Sequence, residues 1–322
     1  MTGRGWLLFI SRRLVVLAVL LVLISFAVFT LLYVSPGSAI NALLGTNPRT
    51  PGEVRFLTQE YHLNRPFLDQ YWLWASQAVR LHFGNSIQTS LPVTSEISAR
   101  LPTTIYLGLY AFVLIMVLGV GGGIVAALNR RRLADRGIVA AAIVALSTPA
   151  FVGGVGLIWV FAILVHLFPV YGPGTGFADE LWHLTLPAIA LALTGMAYLV
   201  RHTRAAMITV LDQDYVTFAR ARGLSRARVL LTYQLRNALI PVVTMSGLIL
   251  SYVITGAVLV EDTFSLPGIG QLLVQSATTK DLPMLQAVAM LVAVVIVLAN
   301  LLADVTYIAV DPRIRLGRGS GG

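Results

Sequence analysis

Glu261 and Asp262 are adjacent carboxylates at the end of an apolar run, beside Phe264 and a Pro267-Gly268 turn. Carboxylates so placed could meet an ammonium group. The alternative is a solvated loop end, since acidic side chains are mostly exposed. Other reactive groups do not assemble into a known pattern. Histidines 62, 82, 166, 183 and 202 never pair at helical i, i+3 or i+4 spacing, and neither H-E-x-x-H nor G-x-S-x-G occurs. The single lysine, Lys280, follows Thr278-Thr279 without the glycines of a phosphate-binding loop. The chain therefore cannot hydrolyse ATP through a standard P-loop. Zero cysteines exclude a thiol nucleophile, a disulfide and a thiolate metal site. No catalytic constellation is left, and the chain reads as no enzyme and no metal site.

The elements that would position these residues lie mostly in lipid. Of 322 residues, 57% are hydrophobic and only 11% are charged, against roughly 25% charged in soluble domains. Six apolar stretches are long enough to cross about 30 Å of hydrocarbon. They predict spans at 14–34, 103–128, 137–168, 184–200, 241–260 and 284–303. The third contains Pro149 and several glycines, so it is one long kinked span or two short ones. A single crossing with a cytoplasmic N-terminus puts 17 of the 23 basic residues inside. Two crossings would expel an arginine-rich loop, which the positive-inside rule disfavours. The expectation is therefore an all-α integral membrane protein with six transmembrane helices and both termini cytoplasmic. The cytoplasmic parts would be 1–13, a loop at 201–240 and a tail at 311–322. The 21-residue first run exceeds a signal-peptide core and reads as a retained span.

Residues 35–101 form the predicted extracytoplasmic loop. Two amphipathic helices are expected there, near 52–62 and 66–81. In the second, Phe67, Tyr71, Trp74 and Ala78 recur at helical spacing. Tyr71, Trp72 and Trp74 suit the headgroup level, with the helix lying on the outer leaflet. The spans themselves hold no Asp, Glu, Lys or Arg, and His166 is the only side chain in them that titrates near neutral pH. Ion-coupled carriers usually keep buried ionisable groups, so a proton-coupled mechanism is disfavoured. Gly119 and Gly123 form a G-x-x-x-G, read as close helix packing.

The loop at 201–240 has the most distinctive pattern. Asp212 is expected to cap a short helix from about 213 to 222. Gly223 would end it in the left-handed region, and Ser225 would cap a second helix leading into span five. The short helix carries Tyr215, Val216, Phe218 and Ala219 beside Arg220 and Arg222. An apolar knob with a basic rim suits a groove on a protein partner. A basic juxtamembrane helix on anionic lipid is the other reading.

The run Tyr215-Val216-Thr217-Phe218-Ala219-Arg220-Ala221-Arg222-Gly223-Leu224-Ser225, followed by Leu235-Arg236-Asn237-Ala238-Leu239-Ile240-Pro241-Val242-Val243, resembles the EAA loop of ABC importer permeases. More narrowly, it is similar to the B-type subunit of the dipeptide/oligopeptide/nickel family. Pro92-Val93, Arg100-Leu101-Pro102 and Thr104, the segment Val260–Gly270, Asp304, Tyr307 and Asp311-Pro312-Arg313-Ile314-Arg315 agree with it. Departures are Pro36-Gly37-Ser38-Ala39, Leu266 before Pro267-Gly268, and Phe218-Ala219-Arg220 where the loop's namesake triplet stands.

The resemblance implies a type I ABC importer permease fold in a bacterial inner membrane. It implies a C-type permease partner, two ATPase subunits carrying ATP and Mg2+, and an extracytoplasmic solute-binding protein, with no cofactor in this chain and no nucleic acid. Tyr215, Val216, Phe218, Ala219, Arg220, Arg222, Gly223 and Leu224 would couple to an ATPase. Glu261, Asp262 and Phe264 would touch substrate or the binding protein. Di- and oligopeptides are the leading substrates, with nickel chelates, glutathione or another small solute as alternatives. A stand-alone secondary transporter or channel, or an intramembrane enzyme, is the different-class reading.

Overall fold

The computed structural model describes residues 3–34, 40, 44 and 50–310. The segment Pro36–Ala39, the 311–315 signature and the tail lie outside them. Among the described residues there is no strand, only one isolated bridge between Asn85 and Pro92. The helices are α1 Gly3–Val34, α2 Pro51–Glu60, α3 Phe67–Val79, α4 Val93–Leu128, α5 Leu133–Ser147, α6 Ala150–Leu164, α7 Phe177–Leu211, α8 Asp214–Ala221, α9 over 226–263, α10 Ile269–Thr278 and α11 Leu282–Val310. Five stretches within α1, α4, α7, α9 and α11 are long and apolar enough to cross a membrane, and the pair α5–α6 makes six if counted as one span.

That pair covers the stretch expected at 137–168 and is sharply broken within it, at the proline that marks the expected kink. The two helices meet at 109°. Thr148 is extended, at φ −103° and ψ 118°, ahead of Pro149. Proline disfavours helical backbone in the residue before it and donates no N–H, so the helix breaks there. Each half holds about 15 residues, about 22 Å, too short alone for about 30 Å of hydrocarbon. Elsewhere the helices outrun the apolar stretches. α7 extends beyond 184–200 at both ends, and helix continues from 236 to 263 around the expected 241–260.

The chain forms two compact units. The first comprises Met1–Thr104 and Pro267–Val297. There the predicted period of α3 is seen in packing, with Phe67 5.4 Å and Trp74 5.6 Å from the Phe29 ring of α1. Tyr71 sits 5.3 Å from Phe26, and its hydroxyl is 2.8 Å from Ser25 Oγ. Trp72 points away and is exposed. Buried Asp281 accepts the Ser86 hydroxyl and the Ile87 N–H, and also caps α11 through the Met284 N–H at 3.4 Å. Thr104 Oγ1 accepts the Ile269 N–H at 2.8 Å, so two stretches of the family-like pattern meet at the start of α10.

The second unit comprises Ile105–Leu266 and Leu298–Gly322. Its hub is α7, whose buried residues run from Leu184 to Val210. α4 packs closely on it, as the G-x-x-x-G predicts. A Cβ on Gly123 would lie 2.5 Å from Thr203 Cβ and 2.8 Å from the Val200 carbonyl oxygen. Leu107, Ala111 and Ile115 of α4 join Leu191 and Leu199 of α7 and Val253 and Val260 of α9 in one core.

Candidate functional site: the α7–α8–α9 corner

The corner is built by capping chemistry. α7 ends at Leu211, and Asp212 keeps near-helical backbone at φ −86° and ψ 5°. The extended residue that precedes α8 is Gln213, which makes no side-chain cap. This corrects the expected Asp212 cap. A capping side chain must sit on the extended residue, and Asp212 lies one position too early. Its carboxylate instead faces Arg130 Nη1 at 3.2 Å. Asp214 occupies the first turn of α8, where negative charge suits the helix N-terminus.

Gly223 has φ +76°, as its place in the sequence predicts. Its N–H donates to the Arg220 carbonyl at 2.9 Å and the Leu224 N–H to the Ala219 carbonyl at 3.4 Å. This paired pattern is a Schellman motif. Leu224 packs in the same apolar cluster as Ala219, which completes it. The Ser225 hydroxyl then accepts the Arg228 N–H at 3.4 Å and opens α9. α9 runs through Arg226–Arg228, a π-helical turn at Val229–Leu235 and Arg236–Thr263.

α8 has two faces. Val216 and Ala219 are 1% and 4% exposed and seat the helix against Met207 and Val210 of α7, Val229 and Ala238 of α9, and Ala127 of α4. Phe218 is 68% exposed, Tyr215 is partly exposed, and Arg220 and Arg222 are exposed beside them. Asn237 Nδ2 donates to the Tyr215 hydroxyl at 3.3 Å, tying α8 to α9. The apolar knob expected from four residues thus divides. Two anchor the helix, while Phe218 and Tyr215 face outward with the arginines.

A clasp that sequence reasoning missed holds the base of the corner. Asp135 of α5, only 4% exposed, accepts Arg204 Nε at 2.6 Å, Arg204 Nη2 at 2.8 Å and the Arg131 N–H at 2.9 Å. The only signal was an aspartate in the first turn after the Arg130-Arg131-Arg132 run. The other predicted group lies at the far end of α9, roughly 50 Å along the helix from Arg226. Glu261 is within the helix and fully buried, and Phe264 is buried against Gly154. Asp262 alone is exposed. The solvated loop end expected for both carboxylates holds for Asp262 and not for Glu261, because α9 continues to Thr263 and the core closes around it.

The corner lies within a stretch that matches a known family. Residues 119–316 match the family described as binding-protein-dependent transport system inner membrane component, and residues 6–108 match its N-terminal companion. The chain is 36% identical over 308 residues to the glutathione transport system permease protein GsiC of Escherichia coli (strain K12), covering 95% of this chain and 98% of that one. The protein of the same name from Shigella flexneri serotype 5b shows the same identity and coverage. A probable peptide ABC transporter permease protein, y4tP of Sinorhizobium fredii, is 36% identical over 310 residues, covering 95% and 99%. Together with the helical membrane architecture, these matches show that the chain belongs to the binding-protein-dependent transport system inner membrane component family and is an ABC importer permease subunit of the bacterial inner membrane.

Proposed function

We propose that this permease forms half of the translocation path for di- or oligopeptides, glutathione among them, and that α8 is the helix through which ATP hydrolysis on separate subunits drives it. The observation that carries the proposal is the division of α8. Val216 and Ala219 bind it rigidly to the helices of its own bundle, while Phe218, Arg220 and Arg222 are left outward. A buried aromatic anchor with a basic rim is the composition of a protein interface. The substrate class rests on relatives named for glutathione and peptide transport. The apolar stretches 14–34, 103–128, 137–168, 184–200, 241–260 and 284–303 hold no Asp, Glu, Lys or Arg, which suits weak holding of solute, as release requires. Affinity then belongs to an extracytoplasmic binding protein, and a second permease completes the path.

This reading places both termini and the corner in the cytoplasm, where most of the arginines then lie. α9 runs from the corner to Glu261 and Asp262 and is the mechanical link between the ATPase side and the delivery side. The decisive experiment co-purifies the complex and measures ATPase stimulation by binding protein loaded with dipeptide or glutathione. Stimulation by either peptide, together with shielding of a cysteine at position 222 from an impermeant outside reagent, is the expected result. A chain that transports alone, with no ATPase retained, would return the stand-alone transporter.

A further inference from the structure

An apolar groove of about 230 Å³ opens between α4 and the first turns of α7. Tyr106, Tyr110 and Val113 line one wall, and Phe177, Glu180 and Leu181 line the other. Glu180 is the only charged group in it. Its neighbour Asp179 is engaged, accepting the Thr175 N–H at 2.7 Å and lying 3.6 Å from His183 Nε2. The Glu180 N–H donates to the Gly176 carbonyl at 2.9 Å, but its carboxylate makes no hydrogen bond or ion pair among the described residues. Glu180 is half-buried beside this almost wholly apolar lining, and with no cation paired to it its carboxylate suits a cationic ligand.

The groove also has a direction. At the Glu180 end stand the exposed rings of Tyr106 and Phe177, with Trp182 stacked on Phe168 at 4.3 Å nearby. Such aromatics belong to the headgroup level of a membrane. Away from Glu180, exposed Leu109, Val113 and Val117 continue down α4 at four-residue spacing, roughly 12 Å of apolar helix surface. A carboxylate and ring faces at one end and an aliphatic track at the other complement a cationic amphiphile.

We propose that this groove binds an aminophospholipid, its ammonium held by Glu180 between the Tyr106 and Phe177 rings and one acyl chain along Leu109, Val113 and Val117. Ring faces attract ammonium groups. Phospholipids without an ammonium, such as phosphatidylglycerol, are disfavoured because their headgroups offer Glu180 no positive charge. The proposal does not depend on the transported solute.

The test uses the purified permease with its partner subunits, delipidated and then supplied with dioleoyl phosphatidylethanolamine or dioleoyl phosphatidylglycerol, with retained lipid counted by native mass spectrometry. The wild type should retain the ethanolamine lipid about tenfold better, the effect of one charged hydrogen bond. Glu180→Gln should abolish that preference. Val113→Trp, which fills the track while keeping the carboxylate, should lower retention of the ethanolamine lipid. Equal retention of both lipids by the wild type, or an unchanged preference in Glu180→Gln, overturns the proposal. So does displacement of the lipid by a free dipeptide, which would give the groove to substrate. Crosslinking of a photoreactive group at position 106 to the second permease rather than to lipid overturns it as well.

Discussion

Arg204 grips Asp135 with two hydrogen bonds, from Nε at 2.6 Å and Nη2 at 2.8 Å, across 69 residues of sequence. The pair fixes the start of α5 to the stretch of α7 that leads into the α8 corner. Removing Arg204 leaves the nearly buried Asp135 with only the Arg131 N–H. Arg204→Ala should therefore destabilise the second unit by about 2–3 kcal/mol. Asp135→Asn keeps the shape and should cost less. Thermal melts of the purified permease complex check the order. Equal melting of wild type and Arg204→Ala would mean the pair contributes nothing to holding the corner.

Two glycines of the same helix should respond in opposite ways. A Cβ at Gly123 collides with Thr203 and the Val200 carbonyl, whereas at Gly121 it meets nothing within 4 Å. Gly123→Ala should force α4 away from α7, costing about 1–3 kcal/mol as overpacking does. Gly121→Ala should be neutral or slightly stabilising, because alanine is the better helix former. The melting temperatures of the two variants decide it, and a Gly121→Ala as damaging as Gly123→Ala would remove the packing argument.

Local chemistry was legible in the sequence, and long-range contact was not. Pro149, Gly223 and Ser225 each act within a few residues, so the break, the left-handed turn and the cap followed from residue type. The α3 stripe of Phe67, Tyr71 and Trp74 followed from helical spacing. Asp212 failed as a cap because a one-residue shift in where α7 ends moves the extended position to Gln213. The π-turn at Val229–Leu235 keeps right-handed helical backbone throughout and carries no residue that marks it. Asp135–Arg204 and Asp281–Ser86 join residues 69 and 195 apart, and no local pattern encodes such pairs. The burial of Glu261 likewise depends on how the core packs around the end of α9.

At Gly223 the strain is conformational and not steric, for nothing lies within 4 Å of a Cβ built there. Gly223→Asn should then be close to neutral, since asparagine tolerates positive φ. Gly223→Ala should cost about 1 kcal/mol, and Gly223→Val more, because β-branching crowds the same backbone. The expected readout is a graded loss of ATPase stimulation in the order Asn, Ala, Val, with the permease still inserted. A Gly223→Asn as damaging as Gly223→Val would show that some side-chain contact in the complex, and not φ, demands glycine.

The two faces of α8 give the sharpest discrimination. Phe218 is exposed and contributes little to the fold, so Phe218→Ala should leave the melting temperature of the permease unchanged. If the outward face docks an ATPase, the same change should lower ATPase retention by about tenfold or more, since buried aromatic anchors typically carry over 1 kcal/mol of an interface. Arg220→Ala should act in the same direction but more weakly, as rim charges do. Val216→Ala works from the other side. It opens space between α8, α7 and α9 and should cost about 1 kcal/mol of stability or somewhat more, while leaving the docking surface chemically intact. Measured together, retention of the ATPase and melting temperature should separate these variants onto two axes. Phe218→Ala with normal ATPase retention, normal stimulation and normal uptake would reduce α8 to a basic helix resting on lipid, and the link from the corner through α9 to the opposite end of the permease would have no driver.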